Sequence, residues 1–227
     1  MARFVPPPPK EALDCMDELE RYINRHNTDN LTPLIDLALV HYQIETIHPF
    51  ADGNGRVGRM LISLMAVQNG LLDMPVLYVS PAMERDKDIY IDLLFNVSAR
   101  GDWVEWLKFF FSKVYEACQE TIATIDRLLE PQERYRQQAG DAMRSANILT
   151  LVDLLFEVPA ITVSDAQDKL QLTYAGARKS IDKLVELGVL VEVPNHYPKT
   201  FLAPAIVRAA RPTESDAIQV QTTARTM

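Results

Sequence analysis

Between Lys10 and about Arg25, Leu13, Met16, Leu19 and Ile23 recur at the spacing of a helix with one buried face. His26 to Thr32 is polar and reads as a loop. A second helix starts at Pro33, with Leu34, Leu37, Ala38, Val40, Ile44 and Ile47 available for burial. It must stop near Ile47, because the residue before Pro49 is pushed out of the helical region. Asp52-Gly53-Asn54-Gly55 follows as a turn. From Arg56 to Gln68 the pattern is apolar nearly all round, through Met60, Leu61, Ile62, Leu64, Met65, Ala66 and Val67. That predicts a central, buried helix, closed by Asn69-Gly70. Leu71 to Ser80 is ambiguous between a short strand and a loop. Arg85 to Val97 reads as helix, and Gly101-Asp102 caps a long one running to about Leu129. Trp103, Trp106, Phe110, Val114, Ala117, Ile122, Ile125 and Leu128 or Leu129 supply its stripe. The first block is all-helical, about 130 residues, a normal domain size.

The polar stretch 131–144 reads as a connecting segment. A second pattern follows, with a helix over Ser145 to Glu157 and a turn at Val158-Pro159-Ala160. Ser164 is placed to cap a helix over Asp165 to Leu170, and Thr173 to cap another over Ala175 to Leu187. Gly188 stops it. Val189 to Val193 alternates like a strand, Pro194-Asn195 turns, and Thr200-Phe201-Leu202 can return as its partner. Three helices and a hairpin in about 60 residues make the winged-helix pattern. Pro212, Thr213, Ser215, Gln219 and Thr222 mark a disordered tail. The expected class is therefore mainly α: an all-helical domain over 1–130, a connector over 131–144, a small winged-helix (α+β) domain over 145–207, and a tail over 208–227.

Charge narrows the function classes. The 227 residues carry 23 basic and 31 acidic side chains, a net charge of −8, with a pI near 5.0. Broad phosphate-backbone binding is disfavoured, although a local anion site is compatible with it. The winged-helix segment is no exception: Ser145 to Ala205 holds five basic and seven acidic residues. Arg178, Lys179 and Lys183 lie where a DNA-reading helix would be. Nucleic acid is nonetheless not the favoured partner, and protein contacts or homodimerisation compete with it. Cys15 and Cys118 form no C-x-x-C pair and no disulfide framework, which fits a reducing compartment. No apolar run approaches a membrane span, and the N-terminus lacks the apolar region of a signal peptide. A cytoplasmic protein is expected. Pro6 to Pro9 lead straight into a helix, a structural use more than an SH3-type ligand.

The chemistry concentrates in His48-Pro49-Phe50-Ala51-Asp52-Gly53-Asn54-Gly55-Arg56-Val57-Gly58-Arg59. Backbone N–H groups around Gly53-Asn54-Gly55 can form an anion nest, reinforced by the dipole of the helix that follows. Arg56 and Arg59, three apart, share a helix face and can converge on one polyphosphate. Asp52 is placed to hold a divalent cation, since Mg²⁺ takes one or two protein carboxylates and completes its shell with phosphate and water. His48 can serve as a general base toward a hydroxyl. Phe50 is expected to plug the loop into the core. Each element alone is commonplace, but a buried helix opening with two arginines requires anionic partners.

His48 to Arg59 matches the H-P-F-x-[D/E]-G-N-G-R-x-x-R signature at all nine fixed positions and so resembles the Fic-domain (Fic/DOC) proteins. The resemblance extends from Phe4 to about Leu129, through Val5 to Pro9, Ala38-Leu39-Val40-His41-Tyr42 and Gly101-Asp102-Trp103. It implies a protein adenylyltransferase, moving AMP from ATP to a Ser, Thr or Tyr hydroxyl of a target protein. By that resemblance His48 is the base and Asp52 binds Mg²⁺ across the α- and β-phosphates. Gly53, Asn54 and Gly55 form the nest, Arg56 holds phosphate, and Arg59 holds the γ-phosphate. Val57 and Gly58 fall inside the nucleotide-binding stretch, and Tyr90 stands for one member of a Tyr-Tyr pair that helps bound nucleotide.

Three departures shape the expectation. The second tyrosine of that pair is Ile91 here. The β-hairpin flap that aligns a target side chain would begin before Met1, so the chain is expected to be an N-terminally truncated fragment. An inhibitory [S/T]-x-x-x-E-[G/N] helix is not intact; Ser112 to Ala117 comes nearest, which leaves room for an inhibitory segment or partner chain. The motif grips phosphate and not the base. UMP or phosphocholine transfer, removal of AMP, and a winged-helix transcriptional regulator that senses nucleotide therefore remain as alternatives.

Overall fold

The computed structural model describes residues 5–25, 31–143 and 146–211. The loop expected over 26–30, the N-terminal residues 1–4, where Phe4 was matched, Ser145 and the tail from 212 onward lie outside the described residues. The chain divides into two compact units, Met1–Thr121 and Ile122–Met227. Each holds its own apolar cluster.

In the first unit, Pro9 opens α1 (Pro9–Ile23), where its missing N–H costs nothing and its fixed φ suits a first helical turn. Leu19 is the buried anchor, and Leu13, expected on the same face, is 68% exposed. Pro33 opens α2 (Pro33–Ile47) in the same way. The glycine-rich turn leads into α3 (Asn54–Gln68), followed by α4 (Ser80–Arg85) and α5 (Lys87–Arg100). Leu71 to Val79 forms neither helix nor strand. Leu77 and Val79 are buried within that stretch and tie it down. Gly101, at φ +72, ends α5 before α6 (Trp103–Met143) begins.

The central helix is α2, not α3. Leu37, Ala38, Val40, His41, Tyr42, Ile44 and Ile47 bury it on nearly every side, and even Asp36 is inside, paired with Arg25 and Tyr22. On α3 only one face is buried; Met60 and Leu64 lie at the surface, 57% and 48% exposed. These two helices pack extensively against each other. Gly58 permits it: a Cβ there would meet Glu45 Oε1 at 2.5 Å and His41 Nδ1 at 3.1 Å. Trp106 and Phe110 of α6 are wholly buried, with Trp106 Nε1–H donating to the Ala38 carbonyl at 3.1 Å.

Beyond Thr121 the expected stripe of α6 fails at Ile122, Ile125 and Leu129, which are about half exposed, whereas Leu128 packs against the core of the second unit. The helix continues through Pro131, over the stretch read as a connector, up to Met143. Proline there forgoes one backbone bond, and buried Tyr135 together with the Arg136–Asp153 ion pair holds the segment. Then come α7 (Ala146–Glu157), β1 (Ala160–Thr162), α8 (Val163–Leu170), α9 (Tyr174–Glu186), β2 (Val191–Glu192), β3 (Thr200–Leu202) and α10 (Pro204–Ala210). The expected hairpin pairs Val191 with Leu202 and Glu192 with Phe201. A strand not foreseen, β1, adds to the other edge of β3. Thr173 caps α9 as expected. The cap of α8 is Thr162 and not Ser164; Thr162 and Asp165 form a reciprocal capping box. The architecture is thus mainly α, with a small α+β part at the C-terminal end. Among the described residues, no helix is long and apolar enough to cross a membrane.

Candidate functional site

His48 stands at the end of α2, where Pro49 forbids another turn. Its backbone is left-handed (φ 52°, ψ 54°) while its N–H still bonds the Ile44 carbonyl. A non-glycine residue there stores strain, which surrounding structure must hold. The ring is exposed, and Nδ1 lies 3.2 Å from the Glu45 carbonyl oxygen. A carbonyl only accepts, so Nδ1 is the donor in this contact, and in the neutral ring Nε2 is then the nitrogen that can accept a proton.

Asn54 shapes the loop between His48 and α3. Buried to 2% exposure, it accepts from the Phe50 N–H at 2.9 Å and donates to the Phe50 carbonyl at 2.7 Å. Phe50 itself is 47% exposed. The loop is therefore pinned by a buried amide and not by an aromatic plug. Replacing Asn54 by alanine strands both Phe50 backbone groups and should cost about 1–3 kcal/mol, read as a lower urea midpoint. A midpoint equal to wild type would refute this role.

Gly53 adopts φ +89, and the first intrahelical bond of α3 runs from the Val57 N–H to the Gly53 carbonyl. A left-handed residue leading into a right-handed helix turns the N–H groups of Asn54, Gly55 and Arg56 toward one concavity. Both arginines lie over it. A Cβ on Gly53 would meet Arg56 Nη2 at 3.3 Å, and one on Gly55 would meet Arg59 Nη1 at 2.9 Å. Arg56 in the first turn, Arg59 in the second and no acid in the first oppose the helix dipole, an arrangement suited to an arriving anion.

These groups line one cleft of about 480 Å³. His48, Asp52, Gly53, Asn54, Gly55, Arg56 and Arg59 supply its polar lining, and Ile91, Leu94 and Phe95 apolar lining. Asp52 pairs with Arg56 at 3.0 Å, but the two are 92% and 75% exposed, so the pair contributes little to stability. Tyr90 also lines the cleft, with its hydroxyl 3.1 Å from His41 Nε2. Val57 and Gly58 are not in the wall; Gly58 sits between α3 and α2. Glu45, Ser80, Glu84 and Lys87 are near this site without having been singled out. Glu45 was legible, because it stands one turn before His48 on the same face. Ser80 had no signal, since it closes the stretch that no periodicity resolves.

Under the cleft, His41 is enclosed by the rings of Tyr90, Trp106 and Phe110. Burial, helped by the charge of Arg59, lowers its pKa from 6.5 to about 4. Burial raises the Glu45 carboxyl above its ordinary value, against the opposing pull of Arg59 and His48. It also raises the Tyr90 phenol, with the Glu45 charge adding to the effect. Neutral His41 in the fold means that unfolding takes up a proton between about pH 4 and 6.5. Stability is then fully present above 6.5 and falls on acidification, by about 2 kcal/mol between about pH 7.5 and 5. Glu45 acts in the opposite sense, weakening the fold as pH rises above 4.5. Comparing urea midpoints of wild type and His41→Gln isolates the histidine: the variant should lose this acid sensitivity, and an unchanged slope would disprove it.

Residues 1–66 match the model of the Fic/DOC family. Over 105 residues, 46% of this chain, the sequence is 34% identical to a protein adenylyltransferase Fic from Drosophila yakuba, covering 20% of that protein. It is 33% identical over the same length to the Drosophila melanogaster protein adenylyltransferase Fic, again covering 20%. Protein adenylyltransferase fic-1 of Caenorhabditis elegans is 31% identical over 70 residues, 31% of this chain and 14% of that protein. The match thus spans a fifth or less of the length of these relatives. Among solved structures, a Fic family protein from Desulfovibrio desulfuricans G20 aligns with 87% of this chain and 56% of its own, at 20% identity and a TM-score of 0.46. The family match thus supports a Fic-type domain within this chain, and the relatives it resembles are named protein adenylyltransferases.

Proposed function

We propose that this chain is a protein adenylyltransferase that moves AMP from ATP to a Ser, Thr or Tyr hydroxyl of a target protein, releasing pyrophosphate. The observation that carries the reading is the convergence of His48, the Gly53–Arg56 nest and Arg59 on one cleft. His48 Nε2 takes the proton of the target hydroxyl. The hydroxyl oxygen attacks the α-phosphorus in line, an O–P bond forms, and the bond to the β-phosphate oxygen breaks with its electrons leaving on pyrophosphate. The nest N–H groups and Arg56 hold phosphate oxygens, and Arg59 holds the γ-phosphate. Such preorganised donors supply the larger share of rate enhancement in reactions of this kind.

Mg²⁺ fits the residues present. Asp52 offers one exposed carboxylate beside the nest, and its partner Arg56 is itself a phosphate ligand, which suits an ion that takes one carboxylate along with phosphate and water. When bound there, Mg²⁺ would neutralise phosphate charge.

In this reading the small α+β part over 145–207 is a winged helix used for protein contacts. Arg178 is paired with Asp182 and Lys183 with Glu186 on α9, which supports protein over nucleic acid as its partner. Cys15 and Cys118 as free thiols are in keeping with a cytoplasmic location.

Incubating the chain and a cell lysate with ATP labelled at the α-phosphate should label protein, and γ-labelled ATP should not. No labelling, or transfer from the γ-position, would sink the proposal. More efficient transfer from UTP or CDP-choline would replace the donor.

A further inference from the structure

The short helix α4 supplies none of the expected chemistry, yet it is firmly held. Val79, Ala82 and Met83 are buried to 1%, 0% and 2% exposure. At its far end Arg85 Nη2 lies 3.1 Å from Glu116 Oε2 and 2.8 Å from Glu120 Oε1. Asp86, the next residue, pairs with Lys113, which also holds Glu116 at 2.7 Å. Lys113 and Glu116 are buried charges. Desolvation makes such a network a poor source of net stability. Its geometric effect is plain: α4 is tied to α6 by several charge-assisted bonds and cannot slide.

The first residue of α4 is Ser80, whose Oγ accepts the Arg59 Nε–H at 3.0 Å. With Nε engaged, the guanidinium offers its two terminal nitrogens elsewhere, and these lie over the nest, 2.9 Å and 3.7 Å from the Cβ position of Gly55. A side chain as long as arginine loses rotamer freedom when it captures an anion, and holding it beforehand removes much of that loss.

We propose that Ser80 is a positioning residue: its hydroxyl fixes the Arg59 fork over the nest, and the Arg85–Glu116–Lys113–Asp86 network holds Ser80 in place to do so. The role in nucleotide capture rests on the function proposed above. The contact itself does not.

Two readouts on the full chain test it. Without nucleotide, the Arg59 Nε–H resonance, assigned by its loss in Arg59→Ala, should exchange slowly in wild type and Ser80→Thr but rapidly in Ser80→Ala. With ATP, Ser80→Ala should weaken binding by calorimetry about 2- to 12-fold. It should raise KM for ATP more than it lowers kcat, with Ser80→Thr restoring both. In an Arg59→Ala background, Ser80→Ala should add nothing. An equal further loss in that background overturns the assignment, as does unchanged ATP binding by Ser80→Ala. A wild type that binds no ATP while its Arg59 Nε–H responds to Ser80 overturns the nucleotide reading and leaves the positioning contact established.

Discussion

Replacing His48 by alanine should lower AMP transfer by about 10²- to 10⁴-fold, the usual contribution of a positioned general base. ATP binding should survive, because the nest, Arg56 and Arg59 are intact. The ring is exposed and bonds only the neighbouring Glu45 carbonyl among the described residues, so the fold loses little packing. The backbone is the complication: φ is +52°, where alanine is strained and glycine is not. His48→Gly therefore serves as the control. It should be as inactive as His48→Ala while melting no lower than wild type. Transfer from α-labelled ATP, measured beside calorimetric ATP binding, checks both variants. Substantial activity in His48→Gly would mean that the imidazole is not the base.

Trp106→Ala should remove about 3–5 kcal/mol from the stability of the first unit. Trp106 is wholly buried, packs on Phe110 with ring centroids 5.8 Å apart, and lies near-parallel to His41 at 6.1 Å. Truncation opens a cavity and also removes the indole N–H that the Ala38 carbonyl accepts in addition to its place in α2. Typical domains hold only about 5–15 kcal/mol in total, so the variant stands near the edge of unfolding. Trp106→Phe keeps most of the volume and loses the donor, and should fall between. Urea denaturation followed by circular dichroism measures the difference. A loss below about 1 kcal/mol for the alanine variant would contradict this account of the core.

Both residues were visible in the sequence for different reasons. Trp106 sits on a stripe that continues through Phe110, Val114 and Ala117, and all of these are buried. Periodicity works there because one helix face meets one core. The same rule failed at Ile122, Ile125 and Leu129, which continue the apolar pattern but are about half exposed. It also exchanged the roles of α2 and α3. Composition made α3 look central, whereas α2 is enclosed because α1, α3 and α6 all contribute to the core around it. Asp36, His41 and Tyr42 are buried in α2 through partners far along the chain. A polar residue carries no sign in sequence that its partner will come.

What the sequence determined alone was local. Pro49 stops α2 at Ile47 and leaves His48 as the first residue beyond it. The spacing of Arg56 and Arg59 puts them on one face of α3, and the glycine at 53 permits the left-handed turn that makes the nest. These follow from backbone sterics within a few residues. Tertiary structure alone decided what holds those groups in place. Asn54 became the loop's internal brace because its amide is buried against the Phe50 backbone. Gly58 became the contact that lets α3 approach Glu45 and His41 of α2. Ser80, 21 positions beyond Arg59, came to hold its guanidinium. Burial and long-range hydrogen bonds depend on which surfaces meet, and no spacing along the chain encodes that.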